Sequence, residues 1–105
     1  MAFDLVIGKG QFIKDSQSIF GSIDYDEHPS VLRILKHHPN WFFERLSNIY
    51  EDQRFGIDEL SQAAEIIDDL ILKVETEPER LVLYKLSAAV SMAIRMGHPL
   101  FGVAD

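Results

Sequence analysis

Cysteine is absent from the 105-residue chain. That removes disulfides and thiolate metal ligation, and it fits a reducing compartment. Long apolar runs are also missing, since nothing approaches the roughly 20 residues needed to cross a bilayer. Near the start, Asp4 stands where a signal peptide would be basic, and the apolar run "LVI" is short. No export signal is expected, and the cytoplasm is the expected location. Cations are scarce: ten Lys and Arg stand against seventeen Asp and Glu, for a net charge of −7. Nucleic acid and anionic membrane both require cationic surface, so neither is expected as a partner. Repeats, linkers and low-complexity tracts are lacking too.

What is present suffices for one folded domain over residues 1–105. Hydrophobic residues make up 47% of the chain and eleven residues are aromatic, enough to build a core. Residues 1–25 read as a hairpin or small antiparallel sheet. "FDLVI" alternates Phe3, Leu5 and Ile7 against Asp4 and Val6. "GKG" suits a hairpin turn leading to a second strand, "QFIK", and "SIFGSIDY" adds a third with a bulge or bend at Gly21.

Residues 26–97 switch to helical period. "HPSVLRILKHH" places Pro29 in a first turn and Val31, Leu32, Ile34 and Leu35 on an apolar face, and Pro39 ends it. Asn40 caps "WFFERLSNIYED", with Phe42, Phe43, Leu46, Ile49 and Tyr50 as its stripe. Asp58 is expected to cap a third helix running to about Glu75. Thr76 and Glu79 fit a capping box for a fourth. That fourth helix, apolar around most of its circumference and dotted with small residues, should be central, with Gly97 at its C′ position. Residues 98–105 form an apolar tail that packs back on the domain. The fold class expected is α+β, mainly α: a small sheet beside about four helices.

Charge is concentrated in one place. Residues 56–79 hold eight acidic side chains and one basic one, and the remaining segments cancel. On a helical wheel of residues 58–75, Leu60, Ala63, Ala64, Ile67, Leu70, Ile71 and Val74 share one arc. Asp58, Glu65, Asp68, Asp69 and Glu75 share another, with Ser61 and Gln62. Lys73 is the only cation, and Asp69–Lys73 is the one i,i+4 ion pair available within the helix. Leu72 falls amid the acids, about 80° from the edge of the core arc. It reads as the apolar anchor of a charged contact; the alternatives are that a loop or the tail covers it, or that it is one of the ordinary exposed leucines of a protein surface. The bland alternative for the whole face is a solvated surface.

Chemistry is harder to find. "DYDEHP", with His37 and His38 nearby, offers oxygen and imidazole donors but matches neither a calcium loop nor a zinc-protease spacing, so no metal is expected. "GKG" lacks the glycine frame and following helix of a phosphate loop. No Ser or Asp is placed by sequence to pair with a His as a catalytic base. No catalytic residue, cofactor or enzymatic activity is therefore assigned, and protein binding is the expected function.

The short, acidic, cysteine-free plan, with "FDLVI" opening a hairpin, a helical body and "MGHPLFGV" after the last helix, resembles the small immunity proteins of bacterial toxin systems. The resemblance implies a one-to-one complex that blocks a cognate toxin, often a cationic nuclease. The acidic face would then mimic phosphate charge, with Asp58, Glu65, Asp68, Asp69, Leu72 and Glu75 contacting a basic partner. The rival expectation is a scaffold or regulatory subunit, with homo-oligomerisation open to it, using the apolar and aromatic surface of the first two helices.

Overall fold

A computed structural model describes residues 2–8 and 16–104. Strand β1 (Ala2–Gly8) pairs antiparallel with β2 (Ser16–Asp24). The partner of the first strand is thus the stretch expected to be a third strand. The expected strand at residues 11–14, and the turn beyond Gly8, lie outside the described residues. Leu5 faces Gly21 and Val6 faces Ile19, so residue 20 is extra and the strand bulges beside Gly21, as the glycine suggested.

After a 3₁₀ turn (Tyr25–Glu27) come α1 (His28–His37) and α2 (Trp41–Ser47). Val31 and Ile34 are buried and Leu35 partly so, but Leu32 is exposed, so the α1 face is rotated from the expected one. Asn40 caps α2 through a bond from the Phe43 amide, 2.8 Å. The helix stops at Ser47, earlier than "SNIYED" suggested. Ser47 Oγ donates to the Glu44 carbonyl and Asn48 Oδ1 accepts from the Tyr50 amide, so local side chains compete for the backbone there. The turn still delivers Ile49 to the core, while Tyr50 points outward.

Two short strands escaped the sequence reading. Strand β3 (Gln53–Phe55) forms one edge of the sheet, and the tail is β4 (Leu100–Ala104). The sheet order is β2-β1-β4-β3, all antiparallel, so the tail is an inner strand rather than a packed appendage.

Helix α3 (Ile57–Lys73) begins one residue before Asp58. Gly56 is its cap position, and the Glu59 carboxylate accepts from the Gly56 amide, 3.0 Å. Asp58 is a first-turn acid instead of a cap, which suits the helix dipole. Helix α4 (Glu77–Met96) starts at Thr76, whose hydroxyl accepts from the Glu79 amide and donates to Glu79 Oε1, 2.9 Å. It ends at Gly97, whose φ of 72° is the left-handed value a C-terminal glycine accommodates.

The fold is therefore α+β and mainly helical, with the last helix central: α4 lies against α1, α3 and strands β1, β2 and β4. One apolar cluster joins the layers. Phe3, Leu5 and Ile7 of β1 and Leu100 of β4 meet Phe42, Phe43, Phe55, Ile67 and Leu86. The ring of Phe3 lies where a Cβ on Gly102 would stand. Arg45 clamps α2, β3 and α3 together. Its guanidinium donates to Gln53 Oε1, to Glu59 Oε2 at 2.7 Å and to the Arg54 carbonyl, and lies 4.3 Å from the Phe55 ring centre.

An acidic helix face as candidate functional site

The core arc of α3 is as the wheel predicts: Leu60, Ala63, Ile67, Leu70 and Val74 are buried, and Ala64 and Ile71 partly so. That packing fixes which side of the helix faces solvent. Asp58, Glu65, Asp68 and Asp69 are exposed along it. Glu75 is exposed as well, but α3 ends at Lys73, so Glu75 belongs to the connection to α4 and extends the acidic strip beyond the helix. Leu72 sits in the middle of this surface and is 86% exposed, the most open of the large hydrophobic side chains described. Neither the tail nor a described loop covers it, since the tail is committed to the sheet.

The eight acids of the segment divide into two groups. Three are absorbed by internal contacts: Asp69 pairs with Lys73 at 2.9 Å, Glu59 with Arg45 at 2.7 Å and Glu79 with Arg33 at 3.6 Å. Among the described residues, Asp58, Glu65, Asp68, Glu75 and Glu77 have no Lys, Arg or His within ion-pair distance. Part of the charge excess is thus architecture. Of the rest, Asp58, Glu65 and Asp68 are displayed with Leu72 on α3, a helix held from beneath by a close-packed core. Glu75 follows just beyond its end, and Glu77 belongs to α4.

Other candidates have structural occupations. The Glu27 carboxylate accepts from Lys85 Nζ, 2.6 Å, and from the Asp24 amide. Lys85 also donates to the Ser22 carbonyl, which ties α4 to the end of β2. The His28 ring bonds the Ser47 carbonyl at the end of α2, 2.8 Å. Among the described residues, no three His, Asp or Glu converge as a metal set. A cleft of about 490 Å³ opens between the end of α1 and the α3–α4 connection. Arg33, His37, His38 and Lys73 face Glu75 and Glu79 there, so the lining carries no dominant sign.

The surface of the first two helices is a smaller resource than expected. Phe42, Phe43 and Leu46 are all core, and of the α1 apolar residues only Leu32 is widely open. The exposed apolar area missed by sequence lies on α4, where Leu81 is 54%, Tyr84 52% and Met92 40% exposed. An apolar circumference suggested burial on all sides, but among the described residues no element covers the side of α4 that carries Leu81, Tyr84 and Met92. The signal was the recurrence of Leu81, Ala88 and Met92 at helical spacing opposite the core face.

No helix among the described residues is long and apolar enough to cross a membrane. Comparison of the chain with protein-family models, with curated proteins and with solved structures gives no match.

Proposed function

We propose that this chain is a non-catalytic binding domain acting in the cytoplasm, an immunity-type inhibitor that neutralises a basic protein through the acidic face of α3. The observation that carries this reading is the surround of Leu72: an open leucine on a rigid helix, with Glu65, Asp68 and Glu75 close to it in sequence and without cationic partners among the described residues. A solvated face tuned for stability would be expected to carry more i,i+4 pairs like Asp69–Lys73 and no large apolar centre. A face built to meet a cationic protein uses the charges to speed encounter and the apolar centre to hold the complex.

The experiment is co-purification from the native cell with the wild-type chain and with Glu65→Lys/Asp68→Lys as baits. The wild type should retain a basic protein that high salt weakens, and the reversed variant should lose it at unchanged thermal stability. Equal retention by the two baits, or retention of an acidic protein only, refutes the assignment.

A further inference from the structure

The outer side of α4 carries a second surface, separate from the acidic one. At about 100° per residue, Leu81, Tyr84, Ala88 and Met92 fall within an arc of about 80°, on the side away from buried Val82, Leu86, Ala89 and Ala93. Glu77 and Arg95 close the two ends of this seam. They are 18 residues apart, which is five full turns, so they stand at the same angle and roughly 27 Å apart. Neither has an ion-pair partner among the described residues.

We infer that this face binds a second copy of the same chain through an antiparallel α4–α4 contact about a two-fold axis at the level of residue 86. One register satisfies the whole seam. Residue 86 is midway between Glu77 and Arg95, so each acid meets the base of the other copy at both ends. It is also midway between Tyr84 and Ala88, so the largest side chain lies opposite the smallest. Leu81 then lies level with Ser91 and Met92 of the other copy and packs against Met92, which shares its side of the seam. Small residues facing large ones let two helices approach closely enough to interdigitate. A parallel pairing would set Glu77 on Glu77 and Arg95 on Arg95, so charge selects the antiparallel one. An isologous two-fold contact needs this self-complementarity of a single patch. One helix face is a small interface, and two chains of net charge −7 repel. The dimer should therefore be weak, with Kd on the order of tens of micromolar.

Sedimentation equilibrium over a dilution series tests this. The wild type should pass from monomer to dimer with rising concentration. Ala88→Glu, which puts four carboxylate oxygens at the seam centre of the dimer, should weaken association by about tenfold or more. Glu77→Arg and Arg95→Glu should each weaken it, and the double swap should restore it. The double swap keeps both helix-end charges unfavourable to the α4 dipole, so its melting temperature should not recover with it. Recovery of association without recovery of stability therefore identifies pairing between copies. A chain that stays monomeric to millimolar concentration, whatever other protein the α4 face captures, overturns the inference. Dimerisation indifferent to Ala88→Glu overturns it as well.

Discussion

Replacing Gly102 by alanine offers a sharp test of how the sheet meets the core. A Cβ on Gly102 would lie 2.1 Å from Cζ and 2.2 Å from Cε2 of Phe3. Carbon contacts are comfortable at about 3.5–4.0 Å, so the ring must move by more than about 1 Å. Phe3 is fully buried, and β4 is an inner strand held by β1 and β3, so neither side can yield cheaply. Overpacking of this kind costs about 1–3 kcal/mol, and the absence of slack argues for the upper end. For a domain of this size that corresponds to a Tm loss on the order of 10–20 °C. Gly21→Ala is the control, because a Cβ there meets nothing within 4 Å and the backbone is not left-handed. Urea and thermal unfolding followed by circular dichroism should leave Gly21→Ala near wild type and shift Gly102→Ala strongly. Adding Phe3→Leu to Gly102→Ala should recover part of the loss, a coupling of about 1 kcal/mol or more in a double-mutant cycle. Gly102→Ala within about 0.5 kcal/mol of wild type would refute the packing described.

Arg45→Lys should destabilise by about 1–2 kcal/mol in denaturant melts, because a lysine keeps the charge but not the fork that reaches Gln53, Glu59 and the Arg54 carbonyl. Asn40→Ala should cost about 1 kcal/mol by the same assay through loss of the bond to the Phe43 amide. Truncation before Leu100 removes the strand between β1 and β3, and the shortened chain should lose cooperative unfolding. Leu72→Ala should shift stability by no more than about 0.5 kcal/mol, as befits an open side chain, while weakening partner binding.

How much was legible in the sequence followed from how local each determinant is. The caps at Asn40, Thr76 and Gly97 act within a few residues, and each sits at a helix end. The core face of α3 follows from period alone. By contrast, β3 has three residues and β4 is a short apolar run, so neither carries a readable alternation. Their strand character comes from pairing partners about 50 and 100 residues away along the chain. The early end of α2 was hidden because Ile49 and Tyr50 continue the helical stripe, while the competing Ser47 and Asn48 bonds appear only in three dimensions. For the candidate site, the wheel located the acids and Leu72. It had no means of showing that Glu59 and Glu79 are taken by Arg45 and Arg33 from other helices.

Once the basic protein held by the wild-type chain is in hand, stopped-flow association at a series of ionic strengths addresses the role of the α3 face most directly. Association should slow steeply with salt for the wild type. At low salt, Glu65→Lys/Asp68→Lys should bind about 10–100-fold more slowly. Equal rates for the two chains, or a wild-type rate that salt does not change, would contradict the assignment of this face as the binding surface.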